Sequence, residues 1–282
     1  MANEFDFSTE IIKNLLIDRT TGKNILWATE DYYPISEKSQ ILLSQITGEN
    51  ANRIKPRAQK CADTQVSRTR NKAEVFTPSW ICNEQNNLID EKWISKDREL
   101  LDSKNWQDYV KLTRLEITCG EAPYLVSRYD SVSGESIEID KRIGILDRKM
   151  RFICKNVQNE AEYFSWVKIA FQNCYGFELQ GDNLFLARKN MLLSFVEYTQ
   201  HFLKRNPTDK EILEITEIIS WNLWQMDGLT FCTPFSSEKA TIGQDLLFAE
   251  MNNAESYPCK IMDWKDGKAI LYKSLLNKNR RK

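Results

Sequence analysis

The sequence predicts an α/β fold built on a parallel sheet, and three observations carry that prediction. Short apolar runs that end in an acid or a small-residue turn occur at 114–125, 174–179 and 221–228. Segments with helical periodicity separate them. Parallel strands need such crossovers, and they bring their C-terminal ends to one side of the sheet, where ligands of this fold class bind.

In chain order, Phe5, Phe7, Ile11, Ile12, Leu15 and Leu16 fall mostly on one helical face. A turn at 20–23, an extended segment at 25–27 and a helix near 36–46 follow, closed by Gly48. Residues 53–72 carry Arg53, Lys55, Arg57, Lys60, Arg68, Arg70 and Lys72 against Asp63 alone, a composition suited to DNA phosphates. Thr77 is a suitable N-cap and Pro78 a suitable first helical residue for a helix over 78–89.

The stretch 114–125, R-L-E-I-T-C-G-E-A-P-Y-L, is the centre of the chain. An apolar strand carrying Glu116 stops at the turn Cys119-Gly120-Glu121-Ala122, and Pro123 is placed to open a helix. Free backbone N–H groups at such a junction suit a nucleotide or a carboxylate. The polar interval that follows is longer than one crossover helix needs, so an inserted hairpin or helical excursion is expected before a helix at 160–171. The run 174–179 then ends on an acid, Glu178, and leads into an amphipathic helix at 183–203. A helix at 209–219 and the run 221–226, ending at Asp227-Gly228, repeat the pattern. Carboxylates only accept hydrogen bonds, so Glu178 suits a ribose diol and Asp227 an amino group on a base.

Composition bounds the function. The 282 residues suffice for a large core, with a hydrophobic fraction of 41% and a net charge of −1, so affinity for nucleic acid must come from local patches. No apolar run approaches the roughly 18 residues of a membrane span, and the first residues lack a secretory pattern, so a cytoplasmic protein without membrane association is expected. Seven scattered cysteines and one histidine, His201, point to reduced thiols and to no metal site. His201 is read as a helical residue rather than a catalytic base.

Taken in order, Phe76-Thr77-Pro78, Glu116-Ile117-Thr118-Cys119-Gly120, Tyr175-Gly176-Phe177-Glu178 and Met226-Asp227-Gly228 resemble the S-adenosylmethionine motifs of adenine-specific DNA methyltransferases, as in the modification subunits of restriction–modification systems. The resemblance covers about 72–228. It implies a partial Rossmann-like class I methyltransferase sheet with a helical N-terminal appendage, and S-adenosylmethionine as cofactor. Phe76, Thr77 and Pro78 would lie near its methionine moiety, with Glu116, Cys119, Gly120, Glu121 and Ala122 beneath it. Glu178 would hold the ribose hydroxyls and Asp227 the adenine amino group. The implied partners are DNA, a second polypeptide, and a restriction nuclease or specificity subunit. The corresponding organisation is an appendage at 1–52, a basic linker at 53–73, a cofactor-binding domain at 74–264 and a basic tail at 265–282.

Two departures qualify it. Glu121-Ala122-Pro123 stands where the family continues with a second glycine, and the family's catalytic Asn-Pro-Pro-Tyr occurs nowhere. The Asn206-Pro207 pair, followed by Thr208-Asp209, reads as a turn and cap between helices. The expectation is therefore the cofactor-binding portion of a DNA adenine methyltransferase, split or truncated before its catalytic motif and inactive alone. The alternative is a non-catalytic module that binds S-adenosylmethionine and DNA. A small-molecule methyltransferase would leave the basic segment without a purpose.

Overall fold

The computed structural model describes residues 7–72, 74–94, 105–236 and 256–278. Phe5 and the terminal basic residues at 279–282 lie outside them. In order, the elements are α1 (Thr9–Leu16), α2 (Ala62–Lys72), α3 (Ser79–Ile94), α4 (Trp106–Lys111), β1 (Arg114–Glu116), α5 (Ile145–Asn156), α6 (Glu160–Gln172), β2 (Cys174–Glu178), α7 (Gly181–Leu203), α8 (Asp209–Asn222), β3 (Leu223–Gln225), β4 (Lys260–Asp263), β5 (Lys268–Leu271) and α9 (Tyr272–Lys278).

β1, β2 and β3 form a parallel sheet in that order, with Glu116 beside Gly176 and Glu178 beside Gln225. The expected α/β class with a parallel sheet is present. Each crossover contains two helices, α5 and α6 and then α7 and α8, which accounts for the long interval between the first two strands. Local chemistry explains the helix ends. Asn159 caps α6 by accepting Glu162 N–H at 2.9 Å, and Thr208 with Glu211 forms a reciprocal capping box on α8. Lys204 ends α7 in the left-handed conformation that commonly closes a helix.

The strands alternate between two apolar clusters, as the two-residue period of a pleated strand requires. Cys174 and Leu223 face the large cluster built by α1 and α5–α8. Phe177 and Trp224 face a smaller one with Met226, Cys259, Ile261 and Tyr272. β4 and β5 pair as an antiparallel hairpin, and together with the start of α9 they cover that second face. Residues expected as a tail thus include a strand and a helix that seal the sheet.

The N-terminal residues are not an appendage. Ile11, Leu15, Leu16, Ile25 and Trp27 belong to the large cluster, each such burial contributing about 1.5–3 kcal/mol. The segment 25–27 lies beside β3, where Gln225 accepts Leu26 N–H at 2.7 Å and donates to the Leu26 carbonyl at 2.8 Å. Buried Arg188 on α7 completes the join, donating to the carbonyls of Leu15, Ile17, Ser220 and Leu223. Its burial among carbonyls lowers its pKa to about 9.

Three expected helices differ. Residues 36–46 are turns with one 3-10 turn at Leu43–Gln45, because this stretch runs alongside 25–27: Trp27 donates to Ser39 and Ile41 to Ile25. No helix opens at Pro123, where a single turn at 123–125 precedes the bridge of Tyr129 to Ser136. Finally, α3 begins at Ser79 and is capped across the chain by Asp130, which accepts the backbone N–H and hydroxyl of Ser79 at 2.7 and 2.6 Å. Thr77 is not the cap.

Candidate functional site

A cleft of about 730 Å³ opens at the C-terminal ends of β1 and β2, within the size range of small-molecule sites. Its lining includes Phe76 and Thr77 before α3, Glu116 through Gly120 after β1, and Glu178 through Gln180 after β2. Three segments far apart in sequence therefore meet, and the reason is the fold: parallel strands end on the same side. Pro78, Glu121, Ala122 and Asp227 do not line it.

The turn after β1 is unusually constrained. Thr118, Gly120 and Ala122 all have positive φ, 47°, 53° and 64°, which strains the two residues that carry a side chain. Gly120 lies under Phe76, whose ring would be 3.5 Å from an added Cβ. The Arg57 guanidinium stands over the Phe76 ring, 5.3 Å from its centroid.

Three of the four amides of this turn are not free for a carboxylate. Cys119 N–H donates to Phe177 O at 2.8 Å, Gly120 N–H to Glu178 Oε2 at 2.8 Å, and Ala122 N–H to Cys119 O at 2.7 Å. They are consumed because no helix follows to leave its first donors open. Glu121 is turned into the protein, where its carboxylate accepts Arg57 N–H at 2.6 Å and the Tyr129 hydroxyl. The buried Cys119 thiol is pushed well above its ordinary pKa by burial and by the neighbouring Glu116 and Glu178.

Glu116 and Glu178 are buried acids of the cleft. Burial raises the Glu116 pKa to about 8, against the pull of the Tyr124 and Leu125 N–H groups, which it accepts at 3.4 and 3.2 Å. Burial also raises that of Glu178, although its oxygens accept the N–H groups of Gly120, Leu179 and Gln180. Both acids thus fasten the strand ends as well as lining the cleft.

Asp227 is placed elsewhere. Its Oδ1 accepts Leu229 N–H at 2.8 Å, its own N–H donates to Cys232 O at 2.9 Å and its carbonyl accepts Phe231 N–H at 2.8 Å. It closes the turn by which the chain leaves β3 for the bridge between Cys232 and Pro258, so its carboxylate organises a loop.

The basic segment divides in two. Arg53, Lys55, Arg70 and Lys72 are exposed, and Lys72 also lines the cleft. Arg68 is 1% exposed, and its guanidinium pairs with Asp31, with Glu74 at 2.8 Å and with Asp182 at 2.6 Å. Lys60 pairs with Asp182 at 3.1 Å. Helix formation over 62–72 turns Arg68 to the interior and Arg70 outward, so Arg68 is a core residue and not a phosphate contact; Lys60 is committed to the same buried cluster.

Sequence reasoning missed Glu74, Gln180 and Asn183, which also line the cleft. Their positions carried a signal: Glu74 stands just ahead of Phe76-Thr77, and Gln180 and Asn183 follow Glu178 at the head of a helix. The site is thus that of a parallel α/β domain with a cleft at its strand ends that mixes apolar faces with buried acids and amides. Family models, curated proteins and solved structures give no match to this chain.

Proposed function

We propose that the chain is the S-adenosylmethionine-binding part of a DNA adenine methyltransferase. One observation supports this best: the residues that resemble three successive cofactor motifs, Phe76-Thr77, Glu116 to Gly120 and Glu178, line one cleft at the C-terminal edge of a parallel sheet. The cleft also fits the group chemically. Apolar Val75, Ile117 and Leu179 and aromatic Phe76 and Tyr124 offer faces to a base and a thioether chain. Glu74, Glu116 and Glu178 give it oxygen acceptors that suit hydroxyls and amines. S-adenosylmethionine supplies an activated methyl group when bound. The chain's own residues hold it and restrict water, with Phe76 against the Gly120 turn as one wall.

Transfer to an exocyclic amine requires positioned acceptors and a stacking face for the flipped base. The sequence lacks the Asn-Pro-Pro-Tyr that performs this in the family it resembles. We assign that task to residues outside these 282, as on a second polypeptide. Among the described residues no strand pairs with the outer edge of β1, and Leu115 and Ile117 there are 43% and 65% exposed. An edge strand with exposed apolar side chains is a template for strand addition. DNA backbone contact falls to Arg53, Lys55, Arg70 and Lys72, close to the cleft through Lys72.

Equilibrium dialysis with labelled S-adenosylmethionine tests the cofactor reading. Saturable binding by the wild type that weakens in Phe76→Ala is expected; no binding by folded protein rejects it. Methyl transfer to DNA by pure chain free of any companion would instead reject the division of labour.

A further inference from the structure

Where the chain leaves α2 and where α7 begins, the cleft wall is built from Glu74, Gln180 and Asn183. They are 7%, 5% and 1% exposed. Glu74 Oε2 accepts from Arg68 Nη1 at 2.8 Å and from Asn183 Nδ2 at 2.9 Å. No donor among the described residues reaches Glu74 Oε1, Gln180 Oε1 or Asn183 Oδ1. Turning the Asn183 amide over would not help, since its Nδ2 is the donor that Glu74 Oε2 uses and a carboxylate has none to return. Gln180 and Asn183 are three residues apart at the start of α7 and therefore share a face. A buried acceptor left without a donor destabilises the fold. Three of them stand together in one cleft wall, each oxygen itself covered, and a donor-bearing ligand group pressing into that wall would satisfy them.

Charge points the same way. Behind this wall two cations, Arg68 and Lys60, face three carboxylates, Asp31, Glu74 and Asp182. Farther along the cleft Arg114 is committed to Asp90 at 3.4 Å and Lys72 is exposed, so neither cation offsets this excess. The wall therefore favours a group rich in N–H donors and repels an anionic one.

We propose that Glu74, Gln180 and Asn183 form an amine-recognition subsite, their free oxygens accepting N–H bonds from an amino group of the bound ligand. The assignment rests on the reading of the cleft as an S-adenosylmethionine site. It gives to these three residues the contact that Asp227, closing its own loop, does not make. The cofactor has two such groups, the base amine and the amino-acid ammonium, and the test separates them.

Calorimetry on the full chain would use S-adenosylhomocysteine, 5′-methylthioadenosine, which lacks the ammonium, and S-inosylhomocysteine, which lacks the base amine. Gln180→Met removes an acceptor at nearly constant shape and touches no ion pair, and Gln180→Glu keeps the acceptor and adds charge. Gln180→Met should weaken S-adenosylhomocysteine about tenfold, and Gln180→Glu should bind it more tightly than wild type. A loss shared by 5′-methylthioadenosine but not by S-inosylhomocysteine assigns the base amine, and the reverse pattern assigns the ammonium. If Gln180→Met does not fold, Gln180→Glu decides alone: affinity above wild type supports the subsite, and equal or weaker binding overturns it. Equal affinities for wild type and Gln180→Met overturn the subsite and leave the cofactor site standing. A wild type that binds none of the three overturns both.

Discussion

The carboxylate of Glu178 accepts the backbone N–H of Gly120 at 2.8 Å, so the end of β2 fixes the turn that follows β1. Its other oxygen holds Leu179 and Gln180 N–H at 2.9 and 3.1 Å. The two cleft-forming strand ends are therefore one hydrogen-bonded unit, and a change at Glu178 reaches the turn under Phe76.

Glu178→Ala should lose both properties together. Removing the acceptor of three buried amides is expected to cost about 1–3 kcal/mol of stability, read in a denaturant titration. S-adenosylmethionine affinity measured on the fraction that is folded should fall as well. Unchanged affinity would leave Glu178 a purely structural residue.

Arg68→Ala and Arg70→Ala should separate cleanly. The first leaves Asp31, Glu74 and Asp182 without their shared guanidinium, which should destabilise by about 3–5 kcal/mol. The second is exposed and should be neutral in stability yet reduce the slope of DNA affinity against salt by about one. Equal stability of the two variants would contradict the buried cluster.

Glu116 makes stability depend on pH with a defined sign. Its pKa rises from 4.5 to about 8 on burial, so the folded state binds a proton that the unfolded state releases. Its contribution is fully present below pH 4.5 and is lost as pH rises to about 8. Relative to Glu116→Gln, the wild type should lose stability across that window. Parallel stability–pH curves for the two proteins would refute this.

Gly181 explains a close approach. A Cβ there would stand 1.9 Å from the Leu26 carbonyl oxygen, so Gly181→Ala must push 25–27 away from β3. A loss of at least about 1–3 kcal/mol is expected, together with faster proteolysis within the first 50 residues. A variant as stable as wild type would show that the N-terminal segment can shift freely.

Much of the scaffold was legible because it rests on local signals. The periodicity of 160–171 and 183–203 becomes α6 and α7 nearly in place, and the runs at 114–125 and 174–179 contain β1 and β2. The juxtaposition of Phe76-Thr77 with Gly120 and Glu178 was legible too, through motif order. What escaped depends on distant partners. Arg68 looks like its exposed neighbours until Asp182, more than a hundred residues on, claims it. Asp227 looks like a ligand-facing acid until its loop turns to meet Pro258. The stretch 36–46 has helical spacing but is broken into turns where it pairs with 25–27.

The reciprocal hydrogen bonds between Leu26 and Gln225 span 199 positions of the chain. During synthesis the first strand-like segment must wait, its Trp27 and Ile25 without their final packing, until β3 has left the ribosome. At roughly 5–20 residues per second that delay is on the order of ten to forty seconds. For that period the nascent chain displays an apolar segment to its surroundings, so its exposure to non-native association comes during translation rather than in the finished fold.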